Sequence, residues 1–495
     1  MYKSKIEDKL FYDLEEENVR YAHWKSNYQL FSPSKPTSDV EYDLLIDRKQ
    51  ITKFVEIISR IGFKQGEVED ASFPAVHHFY NYDHDAGRFI DIHVYYKIIT
   101  GESFVKNYNL PFVDEILDNT VIENGIRIPV VEIEWIMFIV RIMLKYSIVP
   151  ENFIVHLSKK EIYDELLHLE KNSDFNVIKD FLKKHHPNLS IEILQKCSEA
   201  LKKEKSLMSL TLLALKIRKI FKVNMRKTGI RRWFMNLKTY GNIICRRFIF
   251  RKKRRLFFGS GGILIAIIGP EATGKSTIIS ELNNWLKRLS KVDTIHSGKP
   301  PTTFLTYIPD TLTPMLRRLM PKFRSTSVEQ ENLKDADNKP TNSTSMPFII
   351  RSIIIAYKRK KQLSKIHRIV SNGGIIISDR YPTNKPGLVD SPQLIPSNFE
   401  KLKGGVKYRM MKYENKLYNE IQYPNLILQL TAPLDVVLER NSKRIKSGKE
   451  DENFVRFRHS QFNSNFFESN LHAINTNRDM QIMLKDIKKI VWKYL

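Results

Sequence analysis

The segment Ile263–Thr277 constrains this chain more than any other. Six apolar residues, Ile263-Leu-Ile-Ala-Ile-Ile268, run directly into Gly269-Pro-Glu-Ala-Thr-Gly274-Lys275-Ser276-Thr277. A buried strand that ends in GxxxxGK[ST] and continues as a helix is the context in which a loop folds its backbone N–H groups around a phosphate. The glycines allow that nest to form, Lys275 can reach the β- and γ-phosphates, and the Ser276 hydroxyl can hold magnesium. Gly269, Glu271, Thr273, Gly274, Lys275, Ser276 and Thr277 are therefore the expected nucleotide-binding residues, with ATP and Mg2+ as cofactors. A chance glycine-rich turn before a helix is the competing reading, and it requires no agreement between strand, spacing and helix.

Downstream, strand and helix patterns alternate. Strands are expected at Val292–His296, Gly374–Ser378, Asn425–Leu430 and Leu471–Ile474, and a last amphipathic helix at Ile482–Tyr494. This is the pattern of a parallel sheet with helices on both faces. Arg324–Ser345 is polar and nearly free of apolar residues, so a mobile surface loop is expected there. The apolar run Ile375–Ser378 delivers Asp379-Arg380-Tyr381 at a strand end, where open α/β sheets bind ligands. Asp379 is placed to act on magnesium-bound water or as a base toward an acceptor, and Arg380 to steady phosphate charge. A surface acid after a buried strand is the plainer alternative. A third stretch, Leu438–Lys449, carries Arg440, Arg444, Lys446 and Lys449. It reads either as a closing lid that brings cations to the transferred phosphate or as a solvated basic helix.

Taken together, Gly269–Thr277, Ser378–Tyr381 and the cations of 440–449 resemble the thymidylate kinase family and its nucleoside-monophosphate kinase relatives. The resemblance covers about 230 residues with an insertion. It implies a P-loop NTPase fold in which the acid at the third loop position, here Glu271 where the family usually has Asp, contacts the substrate sugar. Lys275, Asp379, Arg380, Arg440 and Arg444 become the expected catalytic residues, and Ser276 and Asp379 the expected magnesium contacts. The family's landmarks for the thymine base have no counterpart here. Gly298–Thr306 and Lys385–Pro392 resemble instead the thymidylate-kinase-like proteins found among bacterial surface-polysaccharide genes.

A chain of 495 residues is too long for one ordinary core. In its first part, Val40–Ile46 reads as a strand and Ile51–Ile61 as a helix ending at Gly62. His77–Tyr82 and Arg88–Tyr95 read as a hairpin joined by Asp83–Gly87. Glu132–Leu144, Lys160–Glu170, Val177–Lys184 and Ile191–Ala200 have helical spacing. Glu41 and Asp43 stand two apart in a strand, so both face one side, and Asp91 can join them from a second strand. Three such acids can hold two divalent metals. With Tyr21–Asn27 ahead of them, they resemble the nucleotidyltransferase superfamily, in which a Gly-Ser normally precedes the paired acids; here Lys25-Ser26 stands in that place. An active transferase, a degenerate or substrate-binding version, and surface acids on edge strands all remain open. His77, His78, Asp83, His84 and Asp85 crowd the hairpin, as a metal site or as an exposed polar face.

The expected organisation is thus α/β throughout. Residues 1–130 form an α+β nucleotidyltransferase-like domain and 131–215 its helical appendage. Residues 216–260 form a basic linker closed by Gly259-Ser260-Gly261-Gly262, and 261–495 the P-loop kinase domain. Net charge is +26, and sixteen Lys and Arg with no acid lie between Lys216 and Arg255. That stretch suits an anionic membrane surface, a nucleic-acid backbone or a solvated helical linker packed on a domain. Cys197 and Cys245 have no ligand spacing, the N-terminus lacks an apolar core, and no apolar run reaches the roughly 18 residues of a membrane span. A cytoplasmic location is expected, with peripheral attachment to the inner membrane face as an option. The expected activity is ATP-dependent phosphorylation of a nucleotide, nucleoside or sugar-like acceptor, coupled in one scheme to nucleotidyl transfer by the first domain. A homodimer is expected from the resemblance. The rival is a nucleotide-gated, non-enzymatic protein that docks on membrane or nucleic acid through 216–255.

Overall fold

The structure, a computed structural model, describes residues 3–31, 39–68, 73–102, 105–146, 159–202, 207–245, 256–298, 345–384, 390–396, 403–443, 452–461 and 470–495. It divides between Arg254 and Arg255 into two units.

In the first unit the strands β1 (Tyr21–His23), β2 (Val40–Ile46), β3 (Lys64–Val68), β4 (Val76–Asp83) and β5 (Arg88–Tyr95) lie in the order β1-β2-β5-β4-β3. β2 and β5 are parallel and the other pairs antiparallel. The β4–β5 turn closes because Asp83 accepts from the Asp85 and Ala86 N–H groups and Gly87 takes a φ of 70°. Strand alternation sends Tyr42, Leu44 and Ile46, with Ile90, Ile92 and Val94, to a core shared with Leu10, Phe11 and Leu14 of the helix Lys5–Glu16. Phe54, Ile57 and Ile58 of the helix Ile51–Ile61 complete it. The same alternation leaves Glu41, Asp43, Asp91 and His93 on the opposite face. Short ribbons follow, β6 (Ile98–Thr100) with β7 (Tyr108–Leu110) and β8 (Thr120–Glu123) with β9 (Ile126–Pro129).

The helix Val131–Lys145 is buried on nearly every side. Such a helix must be enclosed, and Lys159–Asn172, Phe175–His185, Ile191–Lys202 and Leu207–Ile220 all pack against it. The last of these carries the start of the basic stretch. From Lys216 the chain continues a helix whose Ala214, Ile217 and following Phe221 enter this core. The Arg226 N–H then donates to the Asn107 carbonyl at 2.8 Å, and Asn107 exchanges side-chain bonds with the Lys227 main chain. Arg232 pairs with the buried Glu102 at 2.7 Å. The basic stretch is therefore folded onto the first unit as far as Arg232, because its apolar residues recur at helical spacing. The helix Gly229–Ile244 follows, and residues 246–255 of the stretch lie outside the described residues.

The second unit opens with β10 (Leu256–Phe258) and then forms a parallel sheet of β11 (Ile263–Ile268), β12 (Val292–His296), β13 (Ile375–Asp379), β14 (Leu426–Thr431) and β15 (Leu471–Asn475) in the order β12-β13-β11-β14-β15. β11 is central and buried at all six positions, as a strand covered on both faces must be. Leu264, Ala266 and Ile268 pack on Leu363, Ile366 and Val370 of the helix Met346–Ser371. Ile263, Ile265 and Ile267 point the other way, toward the helix Lys275–Leu286, which in turn meets Met480–Tyr494. The expected polar loop, Arg324–Ser345, lies outside the described residues except for Ser345. No described helix is long and apolar enough to cross a membrane.

Candidate active site

The loop after β11 has the backbone its glycines suggest. Gly269 has a φ of 151°, and a Cβ there would lie 2.7 Å from the Leu430 carbonyl of β14, so the strand-to-loop turn has no room for a side chain. Gly274 caps the helix Lys275–Leu286 with a φ of 89°, and no described atom lies within 4 Å of where its Cβ would stand. This twelve-residue helix turns its N-terminus, the positive end of its dipole, toward the loop. The Thr273 hydroxyl donates to the Pro270 carbonyl at 2.8 Å, and Lys275 Nζ donates to the Gly269 and Pro270 carbonyls at 2.9 and 2.7 Å. The amine thus spans the mouth of the loop. Ser276 and Thr277 are exposed on the first helical turn.

β13 lies between β12 and β11, with Asp379 in register with His296 on one side and Ile267 on the other. Asp379 therefore stands at the carboxyl edge of the sheet, beside the strand that carries the loop. One of its oxygens is buried without a hydrogen-bond partner among the described residues, and the other lies 3.9 Å from His296 Nε2. Arg380 turns back with a φ of 67°; its N–H donates to the Ile267 carbonyl at 2.9 Å and its own carbonyl accepts from Ser378 at 2.7 Å. That turn brings its guanidinium to Glu271 at 2.7 Å, and Arg458 of the helix Glu452–Gln461 reaches the same oxygen at 2.5 Å. Burial of Glu271 favours its neutral form, but Arg458, Lys275 and Arg380 outweigh it and hold the carboxyl below its ordinary range. Arg380 also lies 3.6 Å from Asp390, which pairs at 2.6 Å with the buried Arg359. Arg359 in turn donates to the Tyr418 hydroxyl at 2.7 Å and the Gly298 carbonyl at 3.3 Å.

The sheet thus brings Gly269–Thr277, Asp379 and Arg380 to one edge. Arg440 is placed otherwise than expected. It sits in the helix Leu434–Ser442 and donates to the Thr476 hydroxyl and carbonyl at 3.2 and 3.0 Å, bracing that helix against the end of β15. Arg444 and residues 445–449 lie outside the described residues. Arg458 and Arg359, on the helices Glu452–Gln461 and Met346–Ser371, and His296 at a strand end belong to no motif that the sequence displays.

On the polar face of the first sheet, Glu41, Asp43 and Asp91 do converge, in the registers Glu41 with Asp91 and Asp43 with His93. His93 lies at their centre: Nδ1 is 2.7 Å from Glu41 and 3.4 Å from Asp43, and Nε2 is 3.1 Å from Asp91. Burial disfavours its charge, but the three carboxylates prevail and push its pKa up to about 12. Lys25 covers Asp43 at 2.8 Å, and burial of that carboxyl is outweighed by Lys25 and His93, which hold it far below its ordinary range. His78 adjoins Asp91 at 3.8 Å. Two trios, His78-Asp91-His93 and Glu41-Asp43-His93, have donor atoms close enough to share one ion. His77 turns away toward Gln65 and Tyr96, and His84 meets the Tyr82 ring edge to face.

No protein-family description matches the chain, and no curated protein matches it. Among solved structures, deoxyadenosine kinase from M. mycoides with bound dATP is 15% identical, with a TM-score of 0.26, covering 46% of this chain and 98% of that one. Thymidylate kinase from Candida albicans is 17% identical, with a TM-score of 0.29, covering 47% and 92%. Likeness at that level carries no argument, and the fold rests on the strand order and loop described above.

Proposed function

We propose that the second unit is an ATP- and magnesium-dependent phosphotransferase acting on a small nucleotide, nucleoside or sugar-like acceptor. The observation that carries this reading is the placing of the Gly269–Thr277 loop and the Asp379-Arg380 pair at the carboxyl ends of the adjacent parallel strands β11 and β13. The residues fit a magnesium nucleotide: a Gly274 with no described atom near its Cβ position, an exposed Ser276, and a buried Asp379 oxygen with no hydrogen-bond partner among the described residues. Ser276 and Asp379 would hold the ion, whose charge offsets that of the phosphates. Lys275 would exchange its loop carbonyls for the β- and γ-phosphate oxygens. Asp379 would orient the acceptor's attacking oxygen, or activate it where that oxygen is a hydroxyl, and Arg380 would steady charge on the transferred group. Glu271, with Arg380, Arg458 and Asp390 around it, would face the acceptor. On Gly269–Thr277 and Ser378–Tyr381 we read the unit as thymidylate-kinase-like, and on the segments Gly298–Thr306 and Lys385–Pro392 as of the surface-polysaccharide type.

The test is phosphoryl transfer from γ-labelled ATP with magnesium to nucleosides, nucleoside monophosphates, sugars and a small-molecule cell extract, beside Lys275→Ala. Label on one class of acceptor, lost in the variant, supports the reading. ATP bound but no label transferred, with every acceptor present, favours a nucleotide-gated binding protein instead.

The convergence of Glu41, Asp43 and Asp91 favours a second reading, in which the first unit transfers a nucleotidyl group to the phosphorylated product. Those carboxylates, with His78 and His93 beside them, suit a divalent ion, whose role would be to neutralise the triphosphate. Lys25 is already committed to Asp43 and would set its orientation. Unchanged product from Glu41→Ala and Asp43→Ala would sink this reading and leave the kinase intact.

A further inference from the structure

We propose that the helix Gly229–Ile244 docks the protein on an anionic lipid surface, its apolar stripe entering the headgroup layer and its flanking cations meeting lipid phosphates. Ile230, Trp233, Phe234 and Leu237 follow the spacing of one helical face, and they are 74%, 60%, 59% and 57% exposed. The opposite face carries Arg232, Asn236 and Thr239, which are half-buried. This inverts the usual arrangement, in which a surface helix turns its apolar side inward. The inversion is held in place, because Arg232 is tied to the buried Glu102 and the residues just ahead of the helix are bonded to Asn107.

Charge selects the occupant. Arg231 and Lys238 are exposed, seven residues apart, along one flank of the stripe. Nine Lys and Arg and no acid lie between Lys216 and Cys245. A cationic helix with Trp, Phe, Leu and Ile on its outer face has the composition of an interfacial helix, and an anionic leaflet attracts such a segment. A second copy of this chain would bring like charge against like charge. Nucleic acid would engage the cations but leave Ile230 and Leu237 against water. The proposal does not depend on the kinase reading.

The test is co-sedimentation of the full chain with vesicles of equal parts phosphatidylcholine and phosphatidylserine, and with phosphatidylcholine alone. The expected result is binding to the mixed vesicles that is about tenfold or more weaker on the neutral ones and falls with salt. Trp233→Ser with Phe234→Ser, and separately Arg231→Glu with Lys238→Glu, should each weaken binding about tenfold while leaving the thermal unfolding profile unchanged. The proposal is overturned by absence of binding to the mixed vesicles, by equal binding to the neutral ones, or by full binding in the first variant. Duplex DNA that binds the chain and displaces it from vesicles, or self-association that disappears in the first variant while vesicle binding stays, would also overturn it.

Discussion

At the scale of single residues, three side chains carry separable expectations. Lys275 is bonded to the Gly269 and Pro270 carbonyls and is not part of the hydrophobic core. Lys275→Ala should therefore keep its fold, and we expect phosphoryl transfer to fall by about a hundredfold or more, the scale on which a single charge-stabilising donor acts. Asp379→Asn removes charge at nearly constant shape. It should lower kcat more than nucleotide affinity, which single-turnover and equilibrium-binding measurements separate. Glu134 lies in the first unit, buried, with the Asn27 N–H donating to it at 3.3 Å, and burial pushes its pKa up to about 7 from 4.5. The folded chain then holds this proton where the unfolded chain releases it. Its stability contribution is present below pH 4.5, is lost as pH rises through about 7, and does not change beyond. Glu134→Gln should match the parent near pH 4.5 and exceed it at pH 8 by up to roughly 3 kcal/mol, since each tenfold change in proton affinity is worth about 1.4 kcal/mol. Denaturant titrations at the two pH values check this.

At the scale of elements, β11 and the loop after it act as one piece. Six buried aliphatic residues set the strand between two helical layers, and Gly269 lets the chain leave it against β14. Gly269→Ala would place a methyl 2.7 Å from the Leu430 carbonyl at a φ of 151°. We expect a loss of about 1–3 kcal/mol in stability and a larger loss of nucleotide affinity, because the loop must shift to relieve the contact. Thermal unfolding and nucleotide titration of the one variant read both effects. β2 and β5 follow the same logic, since one alternation gives a core face and a polar face that gathers three carboxylates around His93.

At the scale of the molecule, each unit has its own apolar clusters. Ligand binding stabilises the part that binds. Calorimetry of the full chain should resolve two transitions, of which magnesium-ATP raises one and leaves the other in place. Lys275→Ala should remove that rise. A single transition raised as a whole would show that the units unfold together.

Local sequence determined much of this protein. The order of an apolar run, GxxxxGK[ST] and a helix is contiguous, and its geometry follows from glycine conformation and strand burial. The β4–β5 hairpin and the alternating acids were legible for the same reason, since their period is two residues. Tertiary structure decided what joins residues far apart. Glu271 meets Arg458 across 187 positions, and Arg359 meets Asp390 across 31, through pairs that no spacing announces. Arg440 lay in a cationic run that suggested a lid, yet Thr476 takes its guanidinium. The basic stretch after Lys216 left a packed helix, a lipid surface and nucleic acid all open by its charge, and packing places Ile217 and Phe221 at its start in a core. Charge is a property of composition, and what a cation pairs with depends on which chain segment packing brings to it.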